Sequence, residues 1–464
     1  MRRQKHIGQE ISAKLPMAKA LMALALLCAG LSAPGTRAYA ASFDARHQVS
    51  GDGAVSTVSI NPVVQWNRIL LEIVRTPGAQ PATIHPTRSF AIMHAAIYDA
   101  VNAIDSTHTP YLVELSGVSR RASQEAATAA AAHSVLVALY PQLQARLDLQ
   151  LEASLADIPD GPYTRMGIHV GQSVAERILA LRSNDGSDAQ PLPFVPGTDP
   201  GEYQVTPPNF PPPVFTHWPA VTPFTLVRAE QFRPDPPPPL TSDTYTVAFN
   251  EVKALGFINS PSRSGDQTEI GRFWGGAIQN YWNEIAQTAA AAQQLTTAQS
   301  ARLFALLDLT LADAVIAFYD AKYTYRFWRP VTAIQAADTD ENPQTVADPH
   351  WLPLPVNTPA DPSYPGAHAV MSAAGAAVLD AFFGSDQCSF TVTSEVLPGV
   401  ERIFTSFTAA AEEATVSRIF AGVHFRSDLT MGQELGRTIA DFVEEHFLLP
   451  RHASGRRSDA ERRG

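Results

Sequence analysis

The 37 prolines of this 464-residue chain are concentrated in two places, and that partition constrains the fold more than any other feature. From Asn184 to Thr241 the chain carries Pro191, Pro193, Pro196, Pro207, Pro208, Pro211 to Pro213 and Pro236 to Pro239. Proline fixes φ and lacks a donor, so this stretch cannot propagate a helix or a central strand. Phe210, Phe215, Trp218, Phe224 and Phe232 give it apolar anchors that a free linker lacks, which predicts an ordered surface crossover. A second proline-rich segment, Asp338 to Tyr364, holds Pro343, Pro349, Pro353, Pro355, Pro359 and Pro362.

Everything between reads as helix. Asn61-Pro62 is an N-cap followed by proline at the first helical position, opening a helix through Val74. Further helices are expected over Pro86 to Ile104, Ser119 to Leu139, Gln142 to Ala156 and Gly161 to Arg182. After the crossover they resume over Ser242 to Leu255, Gly265 to Trp282, Trp282 to Ala292, and a long run from Thr297 to Trp328. His368 to Phe383, Phe407 to Phe420 and Asp428 to Phe447 complete the set, with a short extended piece near Cys388 to Val392. No alternation is long enough to demand a sheet. The predicted class is all-α: two packed helical bundles, 41–183 and 242–449, joined by the Pro-rich crossover 184–241 and followed by a disordered basic tail, 450–464.

The amino terminus has its own logic. Five basic residues within Met1 to Lys19 precede an apolar run, Ala20 to Leu31, too short to span a bilayer well, and then Ala38-Tyr-Ala40. That order is a secretory signal peptide, 1–40, which predicts a secreted or periplasmic protein with no stable membrane anchor. Cleavage removes six of 34 basic and one of 45 acidic residues, leaving 28 against 44 and a formal charge of −16. Such an acidic chain is a poor nucleic-acid partner. Only Cys388 survives cleavage, so no intrachain disulfide is expected. Oligomeric state is not legible, because bundle faces and interface faces share one composition.

Against that acidic background one cationic cluster stands out. In a helix ending Lys322-Tyr-Thr-Tyr-Arg326-Phe-Trp-Arg329-Pro330, the cations Lys322, Arg326 and Arg329 would share an arc of about 60°. Their neighbours are aromatic, so a partly buried site that expects an anion is the natural reading, with Arg offering a planar fork and Lys a point charge. Further on come Pro365-Gly366-Ala367-His368, where free N–H groups of Gly366 and Ala367 would face an anion at a helix N-terminus. Then follow Ser417-Arg418, His424 and Asp428, the last two spaced for a carboxylate to orient an imidazole that is a nucleophile or a metal ligand. His94 is expected as a packed core residue, and Asp348, His350 and Trp351 are candidates for lining an entrance.

Taken together, Lys322 with Arg329-Pro330, the Pro-x-x-His box and Ser417-Arg418-x5-His424-x3-Asp428 resemble the three-part signature of vanadium-dependent haloperoxidases and type 2 phosphatidic acid phosphatases (PAP2 superfamily). Asp313 to Ile334 and Trp218 to Leu226 also resemble secreted bacterial members of the haloperoxidase branch. The resemblance spans about Asn61 to about Phe447. It implies vanadate as cofactor, with Lys322, Arg329, Arg418, Gly366 and Ala367 on its oxygens and His424, steered by Asp428, on the metal. It also implies His368 as the base that takes a proton from hydrogen peroxide, and Lys322 as the cation that polarises the peroxide for attack by a halide. Hydrogen peroxide and halide are then the substrates, with a small organic acceptor as a further partner.

The runner-up within the same resemblance is a phosphatase: His424 attacks a phosphomonoester to give a phosphohistidine and His368 protonates the leaving oxygen. A catalytically idle oxyanion-binding scaffold is a third reading. Two departures bear on the choice. The middle box in the family is usually Pro-Ser-Gly-His, so a serine hydroxyl is absent here, which would weaken oxyanion binding by about 1–2 kcal/mol. Asp361 stands where haloperoxidases tend to carry an aromatic residue or histidine near the halide, and an ionised carboxylate there would repel a halide.

Overall fold

The computed structural model describes residues 60–451. The expected signal peptide, the residues from it to Ser59 and most of the expected tail lie outside the described residues. Pro450 and Arg451, placed in that tail by the sequence, are held in the fold: Arg451 donates its backbone N–H to Thr107 at 2.8 Å and pairs with Glu114.

The amino-terminal helices are α1 (Pro62–Arg75), α2 (Pro86–Asp105), α3 (Gln124–Leu139), α4 (Gln144–Ala156) and α5 (Pro162–Arg182). Asn61 caps α1 as expected, its side chain accepting from the N–H of Val63 at 3.0 Å. α3 begins at Gln124, after the Ser123 cap, five residues later than composition alone suggested. The segment 184–241 holds only a three-residue 3-10 turn, Trp218–Ala220. It is nevertheless anchored: Trp218 and Phe224 are buried, and the backbone N–H groups of Phe224, Thr225 and Leu226 all donate to the buried Asp313 carboxylate at 2.6 to 2.9 Å. Phe210, expected among the anchors, is exposed.

Beyond it come α6 (Asp243–Gly256), α7 (Gly265–Phe273), α8 (Ile278–Ala292), α9 (Thr297–Tyr325), α10 (Pro330–Gln335), α11 (Ala367–Phe383), α12 (Phe407–Ala421) and α13 (Arg426–His446). A two-stranded antiparallel hairpin, β1 (Gln387–Thr393) with β2 (Glu401–Ser406), pairs Phe390 with Phe404 between α11 and α12. The extended piece expected near Cys388 is thus one half of a hairpin whose second strand had no sequence signal. The chain is otherwise mainly helical, and no described helix is long and apolar enough to cross a membrane.

Two expectations about helix bounds are overturned, and both matter for the site. The run expected from Gly265 to Trp282 is broken at Trp274–Ala277, where Gly275 and Gly276 disfavour continuation. The long helix stops at Tyr325 because Arg326 takes a left-handed conformation, φ 51°. α9 is still 29 residues, about 43 Å, and its middle is buried on every side. It packs on α2, α11 and α13, so it is the axis of the described unit. The division into two bundles on either side of the crossover stays a proposal.

α11 and α13 approach very closely. A Cβ on Gly436 would lie 2.1 Å from the carbonyl oxygen of Val370, and one on Gly432 2.9 Å from that of Gly366. Glycines four apart on α13 therefore let the two backbones touch, and that contact fixes the start of α11 against the start of α13.

Candidate active site

The site lies where four chain segments end: the last turn of α9, the irregular segment before α11, the end of α12 and the start of α13. Lys322 is in the last turn of α9 and has no exposed surface. Arg329 lies beyond the helix, as the residue before α10, and is equally buried. The two converge on one carboxylate. Asp361 Oδ1 accepts from Lys322 Nζ at 3.3 Å and from Arg329 Nη2. Lys322 Nζ also donates to the carbonyls of Pro362 and Ser363, and Arg329 Nε to the carbonyl of Asp361 at 2.8 Å. Burial pushes the Asp361 carboxyl up, but Lys322 and Arg329 overcome this and hold it below the ordinary range. Burial lowers Lys322, with Asp361 opposing.

Arg326 is not part of this cluster. Its turn at the end of α9 carries the side chain away, so that Nη2 donates to the carbonyl of Val195 and the guanidinium lies 4.8 Å from the centre of the Phe194 ring. The shared face of three cations inferred from helical spacing is therefore corrected to two, brought together by the chain's departure from the helix.

His424 follows Gly422, whose left-handed φ of 77° ends α12 and redirects the chain. It precedes α13 rather than riding on it, while Asp428 is in that helix's first turn. The expected contact still forms: His424 Nδ1 lies 3.2 Å from Asp428 Oδ2. On its other side, Nε2 lies 3.0 Å from Arg329 Nη1. A guanidinium only donates, so Nε2 is the acceptor and Nδ1 carries the proton toward Asp428. Burial first, then Arg329 and Lys322, hold His424 well below its ordinary value, so it is neutral with its Nε2 lone pair turned into the cationic cluster. Asp428 also accepts the backbone N–H of Phe425 at 3.0 Å and the hydroxyl of Ser363 at 2.6 Å. Ser363 is a supporting residue that sequence reasoning missed, since nothing local in Asp-Pro-Ser-Tyr-Pro announces a partner 65 positions away.

His368 opens α11 and is partly exposed. Its Nε2 lies 2.9 Å from the carbonyl of Trp274, which also accepts from Arg418 Nη1 at 3.3 Å. That carbonyl is free because α7 ends at Phe273. The break is held in place by Ser394 and Tyr281, both donating to the Phe273 carbonyl at 2.6 Å, and by Glu395, which accepts from Ala277 N–H at 2.9 Å. Burial and the charge of Arg418 hold His368 well below its ordinary value. Burial, then Arg329, draws Arg418 down to about 10, so it stays a cation at neutral pH.

At the start of α11, Gly366 donates its N–H to the Asp428 carbonyl at 3.0 Å, so that donor is engaged rather than free for an anion. A Cβ on Gly366 would meet Leu429 Cδ2, the end of a rotatable side chain, at 2.8 Å and His424 Nδ1 at 3.6 Å. Ala367, at the first helical position, has an N–H that the helix itself does not use. Asp348 and His350 interact within their own turn, and Trp351 is buried with its indole N–H on the Lys253 carbonyl; none of the three reaches the cluster. His94, as expected, is a core residue, stacked on Phe304.

Three cations, one neutral imidazole nitrogen and a helix N-terminus thus face one buried position. Arg418 Nε, buried there, has no hydrogen-bond partner. Fold and site define a helical protein with a buried cationic cluster set against a neutral histidine.

Comparison with known proteins carries this further. Residues 302–451 match the VCPO second helical-bundle domain. The chain is 26% identical to vanadium chloroperoxidase of Curvularia inaequalis, across 81% of this chain and 80% of that protein. A bacterial vanadium-dependent iodoperoxidase structure superposes with a TM-score of 0.68 at 26% identity, over 85% of this chain and 99% of that one. A holo-type bacterial vanadium-dependent chloroperoxidase shares the fold, with a TM-score of 0.61 at 15% identity, over 81% and 94%. The chain is thus similar to vanadium haloperoxidases over most of its length, and its carboxy-terminal part matches their second helical-bundle domain.

Proposed function

We propose that this chain is a vanadate-dependent haloperoxidase, oxidising a halide with hydrogen peroxide to a hypohalous-acid-type halogenating species. The observation that carries the reading is the neutral His424, its Nε2 lone pair directed among Arg329 and Lys322 while Asp428 holds its other nitrogen. The donor set fits vanadate: Lys322, Arg329, Arg418 and the Ala367 N–H for its oxygens, and His424 Nε2 for the metal. When bound, vanadate supplies a Lewis-acidic centre that activates peroxide without changing oxidation state.

The chain's own residues then have separable tasks. Lys322 and Arg329 concentrate positive charge in a site closed to bulk water, where it acts more strongly than at the surface. Asp428, itself fixed by Ser363 and Phe425, keeps His424 in the tautomer with Nε2 free. His368 has its Nε2 proton engaged by Trp274, which leaves Nδ1 as the basic atom, and an anion in the cluster would raise its basicity from the depressed value. We place the mature protein outside the cytoplasm, on the strength of the leader-like order of Met1 to Ala40.

The test is a paired assay on purified mature protein. Orthovanadate, hydrogen peroxide and bromide or iodide should halogenate a phenolic dye, and the reaction should require vanadate and disappear in His424→Ala. One observation favours a second reading: an ionised Asp361 beside the cations disfavours a halide, as a phosphatase would tolerate. Release of phosphate from a chromogenic phosphomonoester, blocked by vanadate and with no halogenation under any halide, would replace the first reading with the second.

A further inference from the structure

Asp361 is the one charged group of the cluster that this chemistry leaves without a task. It lies in the irregular segment between α10 and α11 and not in a helix, so its carboxylate can withdraw without breaking one. A single oxygen, Oδ1, engages both Lys322 and Arg329, and the backbone carbonyls of Asp361, Pro362 and Ser363 take further protons of the same two cations. Arg418 is left outside this arrangement, with Nε unpaired. Two of the three cations that would hold an oxyanion are therefore already matched to an internal anion. Lys322 and Arg329 keep that carboxylate ionised at neutral pH despite its burial.

We infer that Asp361 is a specificity-determining residue: a resident anion that competes for Lys322 and Arg329 and so decides which anions the cluster admits. A tetrahedral oxyanion offers several oxygens and reaches Lys322, Arg329, Arg418 and His424 at once, gaining donors that the carboxylate does not satisfy. A halide offers one charge and no second acceptor, and does not displace it. The inference rests on the oxyanion reading of the site. It predicts that the chain holds its oxyanion more weakly, and discriminates against small monoanions more sharply, than the same cluster lacking the carboxylate.

The test is calorimetric binding of orthophosphate and of orthovanadate to the full mature chain and to Asp361→Asn, with circular dichroism to confirm folding. Asp361→Asn should bind both ions at least tenfold more tightly. Its melting temperature should be lower than wild type in anion-free buffer, because two buried cations lose their partner, and should rise further on adding phosphate. Equal or weaker binding by the folded variant overturns the inference. A measurement on the wild type alone covers a variant that does not fold: at constant ionic strength, bromide should leave phosphate affinity unchanged, and displacement of phosphate by bromide overturns the inference equally. If neither protein binds either oxyanion at millimolar concentration, the oxyanion reading itself fails, an outcome distinct from tight binding that Asp361 does not influence.

Discussion

The backbone carbonyl of Trp274 lies 2.9 Å from Nε2 of His368, and it is available there only because α7 stops one residue earlier. Had the helix continued, that oxygen would accept an N–H four residues on. The break between α7 and α8 therefore sets the tautomer of His368 and anchors Arg418 through the same atom. Gly276 lies at its centre, and a Cβ there would meet Glu395 Oε1 at 2.7 Å and the Tyr281 hydroxyl at 2.9 Å, two of the groups that hold the break. Gly276→Val should shift the Trp274 carbonyl and lower kcat of the halogenation by roughly a hundredfold, the scale of a 1 Å misplacement, with helical content retained. Steady-state kinetics beside circular dichroism checks this; unchanged kcat in the folded variant would mean that His368 does not depend on Trp274.

Arg326 provides the complementary case, a cation that the sequence placed in the cluster and the fold removes. Its guanidinium is committed to Val195 and Phe194. Arg326→Asn, a residue that tolerates the left-handed backbone, should leave orthophosphate affinity within twofold, whereas Arg418→Ala should lose tenfold or more. A large loss in Arg326→Asn would return that residue to the site.

These two residues mark the limit of what could be read ahead of the structure. Helices with local signals were legible: the Asn61 cap sits at the start of an observed helix, because capping is a contact across two or three residues. The roster of the site was legible too, since Lys322, Arg329, His368, Arg418, His424 and Asp428 all gather at the ends of four segments. What escaped was everything fixed by distant partners. Ser394 and Glu395 hold the break at Trp274 from more than 110 positions away, Asp361 reaches Arg329 across 32, and the N–H of Gly366 is taken by Asp428. No window along the chain contains both halves of such contacts.

The close approach of α11 and α13 yields a stability prediction. A Cβ at Gly436 would lie 2.1 Å from the Val370 carbonyl oxygen and 3.0 Å from the Ala374 nitrogen, both backbone atoms that cannot rotate aside. Gly436→Ala should destabilise the protein by about 1–3 kcal/mol, as overpacking does, although alanine has the better helix propensity. Because Gly366 and Asp428 sit at the near end of the same contact, oxyanion affinity should fall with it. Urea denaturation and phosphate calorimetry measure the two effects, and a variant as stable as wild type would show that the helices can part at no cost.

Far from the site, the core between α1, α2, α8 and α9 holds Asn67, His94, Asn283 and Asp308, all buried, with Asn67 Nδ2, His94 Nδ1, Asn283 Oδ1 and Asp308 Oδ2 lacking hydrogen-bond partners and Asp308 Oδ2 lying 3.6 Å from His94 Nε2. Burial lifts the Asp308 carboxyl to about 8 against a donated bond from Asn283 at 2.9 Å, and lowers His94 to about 3. The signs are opposite. Folded Asp308 binds its proton more tightly than the unfolded chain does, so its contribution to stability is complete at low pH and declines as pH rises from about 4 to about 8. His94 acts in the other direction, costing stability below its ordinary value of 6.5 and nothing above it. Between pH 6.5 and 8 only the Asp308 effect of this pair remains. Asp308→Asn, which cannot ionise, should therefore gain on wild type across that interval, by about 2 kcal/mol or more at pH 8 relative to pH 5. Urea midpoints of both proteins at pH 5, 6.5 and 8 decide it: a constant difference would mean that Asp308 is already ionised in the folded core.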